Sequence, residues 1–221
     1  MRNYISEVLG TFAIVFFGTG VVVVNQETHG VVTHTGICIV WGLIVMSMIY
    51  ALGRVSGAHF NPAVTIGFAV AKKFPVKEIA PYIISQVIGA LIASVTLKLM
   101  FPANEYLGST NPSGSDLQSF ILEFILTFVL MVVIMRVAYG SKEQGMFAGL
   151  AISSVVALEA LFAGPVSGAS MNPARSFAPA LVSMHLSHVW IYLLAPTIGS
   201  VAAVFFDMWL GSDEVKEEAA V

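Results

Sequence analysis

Two asparagines and an arginine are the residues of this 221-residue chain whose type and surroundings could do chemistry, because each stands inside an otherwise apolar stretch. Asn61 opens the triplet Asn61, Pro62, Ala63, and Asn172 opens Asn172, Pro173, Ala174, with Arg175 directly after it. Asn is a favoured helix N-cap and Pro a favoured first helical residue, so each triplet reads as the start of a short helix entered through a turn at Gly57 or Gly168. Asparagine amides held by capping contacts can donate hydrogen bonds to the oxygen of a passing water or polyol. An ionisable residue at Arg175, in an apolar context, marks a functional position by default. This chemistry recognises neutral molecules and breaks no bonds. No nucleotide loop, metal cluster or nucleophile–base constellation is visible, so no cofactor and no enzymatic activity is expected.

The elements that must position these groups follow from composition. The chain is 57% hydrophobic and only 10% charged, with a mean hydropathy of +0.86, whereas a soluble domain carries about a quarter charged residues. Lipid is its natural solvent. Net charge is −3, which leaves no basic field for nucleic acid. The single cysteine, Cys38, excludes an intrachain disulfide and reads as a small core residue. The first apolar run lacks a cleavage pattern and is expected to be a retained span.

Six runs reach the roughly 17 to 25 residues needed to cross a bilayer: Ile5 to Val24, Gly36 to Leu52, Ile79 to Phe101, Phe120 to Val137, Met146 to Ala163 and Val189 to Leu210. Ala58 to Ala71 and Ala169 to Val182 are apolar but too short, and each carries an Asn-Pro, which makes them re-entrant candidates. The expected fold class is therefore an all-α membrane protein of six transmembrane helices plus two re-entrant half-helices. Arg54, Lys72, Lys73 and Lys77 flank the first short segment, and Arg136 and Lys142 flank the loop between spans four and five. Those loops, and with six spans both termini, are expected to be cytoplasmic. Lys98 and Arg175 depart from that rule; Lys98 is expected to snorkel to the outer interface.

The chain also repeats itself. Ser56-Gly-Ala-His-Phe-Asn-Pro-Ala-Val64 and Ser167-Gly-Ala-Ser-Met-Asn-Pro-Ala-Arg175 agree at six of nine positions, at an offset of 111. Glu7 and Thr11-Phe12 are echoed by Glu123 and Thr127-Phe128, and Tyr82 and Gly89 by Tyr192 and Gly199. Three spans per half, an odd number, require the second copy to be inverted, which predicts repeats of approximately 1–110 and 111–211 followed by an acidic cytoplasmic tail, 212–221. Inverted repeats with broken segments place a solute site at the midplane. Both short helices then begin there, and their positive dipole ends face one point on the path and repel cations. Unwound backbone at 56–60 and 167–171 is tolerable at that depth only beside a water-filled path, which its carbonyls would line.

With these features the sequence resembles the aquaporin and aquaglyceroporin family, the major intrinsic proteins, over nearly its whole length. Gly164-Pro-Val-Ser-Gly-Ala-Ser-Met-Asn-Pro-Ala-Arg-Ser176 is similar to the nodulin-like intrinsic protein branch. The resemblance implies a homotetramer in the cell membrane, with one pore per subunit. It also implies a selectivity filter, located by spacing at Trp41, Ala160, Ala169 and Arg175. Gly57, Ala58, His59, Phe60, Gly168, Ser170 and Met171 would line the pore, while Glu7 and Glu123 would be structural acceptors for the re-entrant backbone. Strict water channels resemble one another in carrying Phe and His at the first two filter positions; here an indole and a methyl replace them. One broad apolar wall, one guanidinium and two small gaps suit glycerol. Water, arsenous or boric acid, urea and ammonia are comparable in size. The expected function is passive passage of glycerol-like solutes with some water. The alternatives are a pore used chiefly for water and a non-conducting junctional or scaffold protein. Glu159, beside Ala160, is expected to reach the outer interface rather than tune the outer mouth. His29, His34, His185 and His188 are read as solvated.

Overall fold

The structure is a computed structural model that describes residues 1–211. Six of its helices are long and apolar enough to cross a membrane: α1 (Arg2–Glu27), α2 (Thr33–Ser56), α4 (Ile79–Met100), α5 (Asp116–Ala138), α7 (Ala148–Ser167) and α9 (Val189–Leu210). Two short helices, α3 (Pro62–Val70) and α8 (Pro173–Ser183), lie between them, and a one-turn α6 (Lys142–Met146) precedes α7. The protein is all-helical among the described residues, and the acidic tail expected at 212–221 lies outside them.

Helices α1, α2 and α5 outrun the apolar runs that mark them, α7 is shifted along its run, and α4 and α9 match theirs to within a residue. Helix α2 extends beyond Gly36–Leu52 at both ends, because hydropathy marks the hydrocarbon layer while helical hydrogen bonding continues into the polar ends at His34 and Arg54. Helix α7 begins later than Met146 and continues past Ala163, through Pro165, to a left-handed C-cap at Gly168 (φ 88°). A proline at 165 cannot donate to the carbonyl one turn back, that of Leu161. The His34 imidazole takes that place, with Nε2 2.9 Å from the Leu161 oxygen. The short helices begin at the prolines themselves rather than at Ala58 and Ala169, because the residues between are unwound. Helix α6 has no hydrophobic signal and owes its existence to a capping box between Ser141 and Gln144. Ser141 and the backbone also hold the exposed Glu143 carboxyl below the usual carboxylate range.

Packing pairs α1 with α4 and α5 with α9, and brings α2 against α7. Each short helix rests on the last long helix of the other half, α3 on α9 and α8 on α4. The first two crossings are close because they occur at glycines. A Cβ at Gly89 would overlap the Val8 carbonyl, and one at Gly199 the Phe124 carbonyl, the small-residue contact that lets membrane helices approach. Large apolar side chains such as Leu99, Phe162 and Trp209 point outward at more than 70% exposure, where a soluble protein would place charge.

Candidate functional site

The site is built by two irregular segments that enter the bundle from opposite halves of the chain. In the first, Gly57, Ala58 and Phe60 have φ of 85°, 53° and 49°; in the second, Gly168, Ala169 and Met171 have 88°, 42° and 53°. Left-handed backbone at a residue with a side chain is costly, and both segments carry it at matching positions. The compensation matches as well. Glu7 accepts from Ser56 Oγ at 2.7 Å, from the His59 and Phe60 amides at 3.1 and 2.7 Å, and from Gln86 Nε2 at 2.8 Å. Glu123 accepts from Ser167 Oγ at 2.7 Å and from the Ser170 and Met171 amides at 2.9 and 2.8 Å. Tyr82 and Tyr192 donate to the Ser56 and Ser167 carbonyls at 2.9 and 2.7 Å. Unwound backbone in the bundle interior is thus saturated by side chains, as burial demands.

These segments deliver Asn61 and Asn172 to helix N-caps. Asn61 Oδ1 accepts from the Ala63 amide at 2.9 Å, and Asn172 Oδ1 from the Ala174 and Arg175 amides at 3.1 and 3.4 Å. Their Nδ2 atoms cross the seam: Asn61 donates to the Met171 carbonyl at 2.7 Å, and Asn172 to the Phe60 carbonyl at 2.9 Å. One N–H of each amide is therefore engaged and one remains for another acceptor. The crossing also occupies two of the carbonyls that sequence reasoning assigns to the path. Pro62, Ala63, Pro173 and Ala174 are buried behind the asparagines and do not line the cavity.

A cavity of about 620 Å³ runs past both asparagines. Trp41, Ala160, Ala169 and Arg175 all border it, as do Gly57, Ala58, His59, Phe60, Ser170 and Met171. Gly168 does not: it forms the turn behind, where a Cβ would meet the Thr110 side chain at 2.8 Å. The Arg175 guanidinium carbon lies 4.9 Å from the Trp41 ring centroid, a cation–π contact. Arg175 Nη1 donates to the Gly108 carbonyl at 3.0 Å, and its Nε has no partner. Gly108 had no signal in the sequence. It adopts φ 69° and presses on the Thr19 backbone so closely that a Cβ would overlap it. Gly18 on α1 leaves room for the Trp41 indole, which a Cβ there would strike.

Toward the other end, His59 is 8% exposed. Its Nδ1 stands 3.1 Å from Thr65 Oγ1, and its ring lies among Phe68, Phe74 and Tyr82. It both borders the cavity and has a satisfied imidazole nitrogen. His29 is exposed, as expected, whereas the other three histidines each meet a group of the protein. His34 serves the Leu161 carbonyl. His185 lies 3.6 Å from Glu105, and His188 is 2.9 Å from Asp116. Cys38 is a free, buried thiol. Lys98 reaches the loop that follows α4, donating to the Pro102 carbonyl at 2.9 Å. Glu159 corrects the expectation of an interface residue: at 3% exposure it lies inside the bundle, because α7 is packed against both α2 and α5 and this residue falls within that packing.

A cavity bounded by an apolar ring, a guanidinium and two amide donors holds no nucleophile and base in contact; it can select a neutral molecule and pass it. A family model described as Major intrinsic protein matches residues 1–206. The chain is 47% identical over 206 residues to Aquaporin NIP1-1 of Zea mays, covering 93% of this chain and 73% of that protein. It is 44% identical over 206 residues to Nodulin-26 of Glycine max, covering 93% and 76%. Among solved structures, the aquaglyceroporin from Plasmodium falciparum superposes with a TM-score of 0.80 at 31% identity, covering 93% of this chain and 94% of that one.

Proposed function

Because the chain belongs to the major intrinsic protein family, a family of membrane channels rather than enzymes, we propose that the cavity past Asn61 and Asn172 is its pore and that Trp41, Ala160, Ala169 and Arg175 set its selectivity. The protein is a multi-pass membrane channel for small neutral solutes such as glycerol and water. The finer reading is passive, bidirectional passage favouring glycerol-like polyols, with some water. Arsenous acid, boric acid and urea are further candidates of similar size.

The observation that carries this reading is the packing of the Arg175 guanidinium 4.9 Å from the Trp41 ring, in a cavity that Ala160 and Ala169 also border. A polyol has a carbon face and a hydroxyl face, and this aperture has an indole for the one and guanidinium N–H groups for the other. Water gains nothing from the indole. Cations meet a fixed positive charge, and beyond it the N-termini of α3 and α8, each worth about half an elementary charge. At the asparagines, a water that accepts the free N–H of both amides has its oxygen committed, which interrupts proton relay along the file.

The same reading makes the halves inverted copies, 1–110 and 111–211. The termini would be cytoplasmic, following the basic loops at 54–77 and 136–142, and four subunits would assemble in the cell membrane, each with its own pore. Stopped-flow light scattering on proteoliposomes tests the solute. A fast glycerol phase is expected; water flux alone would make it a water pore, and no flux would leave a sealed scaffold.

A further inference from the structure

Among the described residues three carboxylates are buried in the bundle, and two of them are accounted for. Glu7 and Glu123 each accept several hydrogen bonds from the re-entrant segments. Glu159 accepts none from the described residues: it is 3% exposed, and neither of its oxygens has a partner among them. It is buried within a single chain, so neither lipid nor a second copy reaches it. A charged carboxylate stripped of water, cation and donor is among the most expensive groups a protein can hold. The neutral acid is the form this site tolerates, and even that has unmet hydrogen-bonding capacity.

Glu159 lies on α7 between Val156 and Ala160, both of which border the cavity. At about 100° per residue, it stands roughly 60° around the helix from Val156 and about 100° from Ala160. It is thus on the flank next to the pore wall, and its neighbour in that wall, Ala160, carries only a methyl.

We propose that Glu159 is a specificity-determining residue of the pore, a neutral carboxyl that turns past Ala160 and exchanges hydrogen bonds with the hydroxyls of a polyol at the Trp41–Arg175 ring. This rests on the reading of the cavity as a polyol pore. A carboxylic acid both donates and accepts, as a hydroxyl does, so one group serves a polyol in either orientation. Being uncharged, it adds polarity opposite the indole without offering a site to cations.

The test is stopped-flow glycerol and water permeability of the full chain in proteoliposomes, comparing wild type with Glu159→Met and Glu159→Gln. Methionine matches the length of glutamate and relieves a buried unpaired polar group, so assembly is expected to survive; should it not, Glu159→Leu replaces it in the same comparison. Glu159→Met is expected to lower glycerol permeability about tenfold, the kinetic equivalent of one hydrogen bond, with water changed less than about twofold. Glu159→Gln, a neutral donor and acceptor, is expected to retain glycerol permeability within about threefold. An unchanged glycerol-to-water ratio in Glu159→Met overturns the proposal, as does an equal fall in both solutes, which marks a packing role. So does a Gln variant that falls as far as Met. A wild type without glycerol flux removes the polyol reading itself, before any variant is compared.

Discussion

Asn61 Nδ2 donates to the Met171 carbonyl at 2.7 Å, and Asn172 Nδ2 returns the bond to the Phe60 carbonyl at 2.9 Å. Each asparagine also caps its own helix through Oδ1. The residues that present donors to the path are therefore the ones that join the two halves of the chain at their meeting point, so stability and selectivity are coupled in the same two side chains.

That coupling gives the first prediction. Asn172→Ala removes a cap, worth about 1 kcal/mol, and a buried hydrogen bond to a carbonyl that is then left unpaired, worth about 1 to 3 kcal/mol. Thermal unfolding of the purified protein in detergent is expected to show a combined loss of about 2 to 4 kcal/mol. Asn172→Asp, which keeps the capping oxygen and loses the crossing donor, is expected to fall between wild type and Ala. An Asp variant no more stable than Ala would mean the crossing bond carries all of the effect.

Arg175 has a different task, since its guanidinium is held by the Gly108 carbonyl at 3.0 Å and by the Trp41 ring. Replacing it with Val removes the fixed charge while leaving an apolar wall. Proteoliposomes bearing Arg175→Val are expected to leak protons or cations, seen as faster collapse of an imposed pH gradient reported by an entrapped dye. A variant as tight as wild type would place the charge barrier elsewhere, at the helix N-termini.

The aperture itself is tested by making it smaller and more polar. Ala160→His with Trp41→Phe fills one gap and shrinks the apolar wall. Glycerol permeability is expected to fall on the order of tenfold or more, while water permeability changes little. Equal losses in both solutes would show that these two residues do not form the selecting ring.

Much of this site was legible in the sequence, for a physical reason. Capping chemistry is local, so Asn61-Pro62 and Asn172-Pro173 announce helix starts, and a repeat at similar though not identical offsets carries Glu7, Glu123, Tyr82 and Tyr192 with them. The illegible parts are long-range. Nothing near Gly108 in the chain shows that its carbonyl will meet Arg175, 67 residues away. The four non-glycine residues at positive φ within the re-entrant segments, Ala58, Phe60, Ala169 and Met171, have no turn signature of their own, because the carboxylates that hold these segments, through the Phe60 and Met171 amides, arrive from other helices. Glu159 is illegible for the same reason, since a charged residue near a span's end ordinarily snorkels, and only the packing of the helices buries it.

The pairing of His34 with Pro165 is the clearest case of such a distant dependence, and it makes the last prediction. Pro165 leaves the Leu161 carbonyl without its helical donor, and His34 Nε2 stands 2.9 Å from that oxygen. If the imidazole is there to replace the missing amide, its value depends on the proline. His34→Ala in the wild-type background is expected to cost about 1 to 2 kcal/mol in thermal unfolding, the price of an unpaired carbonyl in a membrane helix. In a Pro165→Ala background, where residue 165 regains an N–H for Leu161, the same substitution is expected to cost about half as much or less. A double-mutant cycle isolates that difference from the packing of the ring against Gly164, which both backgrounds share. Equal costs in the two backgrounds would show that His34 is held by packing alone.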